Sequence, residues 1–252
     1  TASASTISGT LSGSGSLTKQ GAGTLTITNN NSGYSGETRL EGGVLEIGHN
    51  SALGTGTITF RAANSTFRST DATDRTLSNA IGQFTGADGT TYTFGSLGTG
   101  NLTFSGTGST SLTASGSPAR VFNVLNTTTS FAQSFTGASP VTKTGSGTLI
   151  FAGNNTYTGN TTINAGTLQI GNGGTTGALS TSSNITVNGA LAFNRSNDVV
   201  QGTDFKSSVV ISGTGSLVQM GTGNLTLNVA NNYSGGTTLN TGTLVIGHAG
   251  AA

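Results

Sequence analysis

The passage Gly145-Ser-Gly-Thr-Leu-Ile-Phe151, then Tyr157-Thr-Gly159, then Gly166-Thr-Leu-Gln-Ile-Gly171 decides the fold, because the chain writes it three times. Upstream it reads Gly21-Ala-Gly-Thr-Leu-Thr-Ile27, Tyr34-Ser-Gly36 and Gly43-Val-Leu-Glu-Ile-Gly48. Downstream it reads Gly221-Thr-Gly-Asn-Leu-Thr-Leu227, Tyr233-Ser-Gly235 and Gly242-Thr-Leu-Val-Ile-Gly247. From the glycine after the tyrosine to the next motif glycine is seven residues each time (36 to 43, 159 to 166, 235 to 242). Fixed spacing of this kind marks a repeat architecture, in which each unit covers its apolar side only by stacking on a neighbour.

Outside the motif the apolar residues alternate with period two. Leu102 and Phe104, Ile185 and Val187, and Leu191 and Phe193 each flank one residue of the opposite face. Short alternating runs of Leu, Ile, Val, Phe and Thr bounded by Gly and Asn are strands with one side buried. No stretch has helical periodicity, so helix content should be near zero. Forty-two glycines follow no Gly-X-Y period, which excludes collagen. Charged residues make up 7% of the chain, against roughly 25% in an ordinary soluble domain. Nine Lys and Arg against eight Asp and Glu leave no basic stripe, so no nucleic-acid partner is expected. Cysteine is absent, which removes disulfide scaffolds, thiolate metal sites and cysteine nucleophiles together. No apolar run reaches the ~18 residues of a membrane helix, so this segment is not expected to insert in a membrane.

Two or three short strands and corners per coil, with about 20 to 25 residues in each, predict an all-β parallel β-helix of about ten to twelve coils. Successive coils would pair in parallel at about 4.8 Å. A β-sandwich also has many short strands, but gives no reason for one element to recur along the chain. The offset from 21 to 145 is 124 residues and from 98 to 221 is 123, so one continuous solenoid (1–252) contains two related halves, about 1–124 and 125–252. It reads as a segment of a longer protein or as a stacking unit.

The composite string Gly-x-Gly-Thr-Leu, Asn-x-Tyr-(Ser/Thr)-Gly, Gly-(Thr/Val)-Leu-x-Ile-Gly resembles the autotransporter-associated β-strand repeat, also called the passenger-associated repeat. The resemblance covers roughly 18–48, 142–171 and 218–247. It implies a right-handed parallel β-helix on the bacterial cell surface, used as a stalk or adhesin. Expected partners are another copy stacked end to end, a surface glycan, or a receptor on a host or neighbouring cell. An extracellular filament polymerised through open coil edges is the alternative within the same class.

Chemistry is sparse. A β-helical polysaccharide lyase or hydrolase needs clustered carboxylates, and Asp71 with Asp74, flanked by Arg68 and Arg75, is the best pair. These four, like Arg195, Asp198, Asp204 and Lys206 in the second half, are expected in loops bulging outward, where charge costs little. Asp88 adds no partner. Glu37, Glu41 and Glu46 stand where the other copies have Asn160, Asn164 and Gln169, or Gly236, Asn240 and Val245, and so should be exposed and interchangeable. His49 and His248 share a repeat position with Asn172, which favours a corner role over metal ligation. Tyr34, Tyr157 and Tyr233 could align as a ladder for stacking on sugars, although packing at corners is the stronger reading. Asn29 to Asn31, Asn154–Asn155 and Asn231–Asn232 could bond their counterparts along the axis or simply fill polar turns. The pairs Thr24/Thr26, Thr57/Thr59 and Thr91/Thr93 resemble the arrays of ice-binding solenoids, but they are scattered along the sequence. No residue is assigned to catalysis, a cofactor or a metal, and the reading is a structural, non-enzymatic segment.

Overall fold

The computed structural model describes residues 3–61, 64–87, 89–112, 119–205 and 210–247. Among these the chain winds into a β-solenoid of about ten coils with three faces and no helix. The first face stacks nine strands, from Ala4–Ile7 through Thr24–Ile27, Val44–Ile47, Ser65–Ser69, Thr90–Phe94, Arg120–Val124, Val141–Thr144 and Thr161–Ile163 to Ile185–Val187. The second stacks eight, from Arg75–Leu77 to Thr237–Leu239. The third stacks six, from Leu17–Lys19 to Ser134–Thr136, and resumes with three more, Val199–Val200, Asn224–Leu227 and Thr243–Ile246. Every described strand pair is parallel, which excludes the sandwich.

Coil length varies more than the motif alone suggests. Thr24 pairs with Val44, twenty residues on, whereas Thr90 pairs with Arg120, thirty on. Aromatic rings fill the core of the middle coils. Phe60 stacks on Phe84 at 4.8 Å and Phe104 on Phe131 at 4.7 Å, with interplanar angles of 8° and 4°. Those separations equal the spacing between coils, so identical side chains in register stack with no adjustment. Leu45, Leu149 and Leu168 point inward and are fully buried, while Leu25 in the second coil is partly buried against the same core.

The three motif copies do not lie on one face. In the first, Leu17–Lys19 and Thr38–Leu40 lie on the third face, and Thr24–Ile27 and Val44–Ile47 on the first. The second places Val141–Thr144 and Thr161–Ile163 on the first face, Thr148–Phe151 and Thr167–Ile170 on the second. The third places Ser216–Gln219 and Thr237–Leu239 on the second, Asn224–Leu227 and Thr243–Ile246 on the third. Each copy is advanced by one face. A 124-residue offset therefore spans five coils and a third, and the motif is a corner unit that fits all three corners.

Candidate functional site

The recurring motif residues play similar bonding roles at each of the three corners. Asn31, Asn155 and Asn231 accept a backbone N–H from the coil before through Oδ1, from Leu11, Phe135 and Ile211 respectively. Asn31 and Asn155 donate through Nδ2 to Ala52 and Ala178 in the coil after. One buried amide thus clips three coils, so these asparagines bond neighbouring backbone and not one another. The tyrosine hydroxyl closes the corner. Tyr157 shares a hydrogen bond with Thr161 Oγ1 at 2.8 Å, Tyr233 meets Thr237 Oγ1, and Tyr34 donates to Glu37 O. Tyr34 and Tyr157 are buried and the three sit at different corners, so they form no ladder for sugars.

Before each Gly-x-Gly corner stands a long donor, a feature absent from the sequence reading. Lys143 Nζ donates to the carbonyls of Thr144, Gly145 and Ala165 at 2.7, 2.9 and 3.2 Å. Lys19 does the same to Gln20, Gly21 and Gly42. Gln219 Nε2 substitutes in the third copy, donating to Gly221 and Gly223. Burial pushes the Lys143 ammonium down to about 8, and lowers Lys19. The motif glycine Gly166 has φ 63°, and a Cβ there would sit 2.5 Å from the carbonyl oxygens of Gly145 and Gly147. Sequence alone shows the recurrence of Lys19 and Lys143, but Gln219 breaks the pattern unless the shared acceptors are seen.

Of the charged residues expected in bulging loops, Asp71 and Asp74 do lie in an exposed loop, whereas Arg68 and Arg75 lie on strands. Arg68 is on the strand Ser65–Ser69 and reaches Glu46 of the preceding coil at 2.6 Å, with Thr26 Oγ1 donating to Glu46 from the other side. Arg75 begins a strand and pairs with Asp71 at 3.1 Å. The Thr73 backbone N–H bonded to Asp71 holds its carboxyl below the ordinary value. Asp74 instead accepts from Asn101 N and Nδ2 in the next coil. The two aspartates serve separate partners. Glu37 bonds Arg39 and Thr59, and the Arg39 hydrogen bond leads in lowering its carboxyl pKa. Glu37, Glu41 and Glu46 are partly buried, and Glu37 and Glu46 are bonded in place, so they are less interchangeable than the repeat alignment suggests.

Arg195 also departs from expectation. It is 6% exposed and bonds Asp204 at 2.6 Å, Asn197 and the Gly177 carbonyl. With Asn154, Thr181 and Thr203 this pair lines a cleft of about 390 Å³ where the third face is interrupted. The pair's valences are spent on tying loops across the gap. His49 Nδ1 accepts the Ser51 backbone N–H, a corner role. His248, Lys206 and Asp88 lie outside the described residues. Among the described residues no three of His, Cys, Asp and Glu converge as metal ligands, and no helix is long and apolar enough to cross a membrane.

The passenger-associated-transport-repeat family model matches residues 17–47, 141–170 and 217–246. These are the three corner units. The chain is also 38% identical over 216 residues to the adhesin BmaC autotransporter of Brucella suis biovar 1 (strain 1330), a match covering 85% of this chain and 5% of that protein. The chain therefore spans about one twentieth of the relative's length. No solved structure matches.

Proposed function

We propose, from the premise that this chain belongs to the passenger-associated-transport-repeat family, that it is a rigid, non-enzymatic segment of an exported surface protein. Its work is mechanical: it holds a binding region away from the cell. The observation carrying this reading is the buried asparagine clip, which at Asn31 and Asn155 ties the motif corner to the coils before and after it. Backbone ladders resist bending along the axis, and a satisfied buried amide fixes the angle of one coil on the next. The adhesin relative supports an adhesive role at the outer surface; the counterpart in this reading is a glycan or a cell-surface receptor. Antibody against this segment should label intact, unpermeabilised cells that make the parent protein. Labelling only after lysis would refute surface display.

End-to-end association is the second reading. Leu239 and Ile246, on the last described coil, are 49% and 42% exposed, whereas their counterparts Ile163 and Ile170 are fully buried. A further coil, from the same chain or another copy, covers such residues. Rods lengthening with concentration under electron microscopy would support association between copies; single short rods at every concentration would exclude it.

A further inference from the structure

The outward side of the first face has a pattern invisible along the sequence. Register brings Thr91, Val121, Thr142, Thr162, Thr186 and Ser212 into one rank, one residue per coil over six successive coils. A second rank, two residues further along each strand, contains Thr93, Asn123, Thr144, Asn164, Asn188 and Thr214. The coils thus present Thr-x-Thr, Val-x-Asn, Thr-x-Thr, Thr-x-Asn, Thr-x-Asn and Ser-x-Thr side by side. Of the pairs quoted above, only Thr91/Thr93 belongs to this run. The rest is assembled by folding.

Three properties describe this surface. It has no charged or aromatic side chain in either rank over the six coils. Its second rank is tied along the axis: Asn123 Nδ2 donates to Thr93 Oγ1, Thr144 Oγ1 to Asn123 Oδ1, Asn188 Nδ2 to Asn164 Oδ1, and Thr214 N to Asn188 Oδ1. In the first rank the hydroxyls of Thr142, Thr162 and Thr186 make no hydrogen bond within the described protein. The result is a strip about 24 Å long at about 4.8 Å per coil, with ranks about 6.6 Å apart. Methyls and free hydroxyls repeat on a rigid, uncharged plane.

We propose that this face binds ice. The coil and rank spacings are of the size at which oxygen atoms repeat on faces of hexagonal ice. An uncharged rank of hydroxyls beside methyls can hold water in such an array without the strong, disordering hydration of an ion. A sugar polymer would be expected to use an exposed aromatic platform, and this face has none. The proposal goes beyond the mechanical role and does not depend on it.

The test is thermal hysteresis and inhibition of ice recrystallisation by the purified chain, beside Thr162→Lys, Thr186→Lys and the control Thr136→Lys on the third face. The expected result is a freezing-point gap and small ice grains for the parent and Thr136→Lys, with at least a fivefold smaller gap for each first-face variant. Circular dichroism establishes that all four retain the β signal. Absence of hysteresis in the folded parent chain would overturn the proposal, as would equal activity in the first-face variants. Retention on an insoluble neutral glucan that Thr162→Lys abolishes, without hysteresis, would reassign the face to carbohydrate.

Discussion

Lys143 brings a charge into the coil wall without an ion-pair partner among the described residues, and three carbonyl oxygens take the place of a carboxylate. Gln219 does the same job uncharged, so Lys143→Gln should unfold within about 1 kcal/mol of the parent in urea. Lys143→Met, which leaves buried carbonyls unpaired, should lose about 1–3 kcal/mol. The pH dependence follows from the lowered pKa. Between about 8 and the unfolded value of 10.5, the unfolded chain holds a proton that the folded chain lacks. Rising pH therefore favours the folded state across that window, until ionisation of unfolded tyrosines reverses the slope. Burial raises Tyr92 to about 12 and Tyr157 further, against an ordinary value of 10.0. Stability against pH should rise from about 8 and fall beyond about 10, and Lys143→Gln should shrink the rising limb, to which Lys19 also contributes, and leave the fall unchanged. Asn155→Ala should cost about 1–3 kcal/mol in the same assay, because it leaves the buried Phe135 N–H on the preceding coil without its acceptor. Gly166→Ala combines a positive φ with contact against two carbonyls, and should cost at least about 1–3 kcal/mol.

At the scale of elements, the strands and the exposed loop of Asp71 and Asp74 were legible, and the places of Arg68 and Arg75 on strands were not. Alternation at Leu149/Phe151, Leu168/Ile170 and Ile185/Val187 predicts strands there, and the structure has them at Thr148–Phe151, Thr167–Ile170 and Ile185–Val187. Arg68 looked like a loop residue because Asp71 and Asp74 follow it; its place on a strand depends on Glu46, twenty-two residues earlier. A partner one coil away is close in space and remote in sequence. The Glu46–Arg68 pair is partly exposed, so a double-mutant cycle should give only about 0.2–1 kcal/mol of coupling. The stacked rings contribute far more. Phe104→Ala, which removes a fully buried ring stacked on Phe131, should cost about 3–5 kcal/mol by denaturant titration.

Across the whole molecule the contacts run from coil to coil, so stability should grade along the axis. Hydrogen exchange should be slowest in the aromatic coils containing Phe94, Phe122 and Phe131, and fastest at Ala4–Ile7 and Thr243–Ile246, whose residues are largely exposed. Uniform protection from end to end would show a single cooperative unit instead. The amino-acid string determined by itself that this is a repeat protein of stacked parallel strands, because the Gly, Asn, Tyr and alternating Leu pattern recurs at fixed spacing along the chain. Only the tertiary structure decided that the three corner units lie on three different corners, and that scattered threonines gather on one plane. Coil length sets that phase. It varies from twenty to thirty residues while each coil still closes in register, so the corner a residue reaches cannot be counted off the sequence.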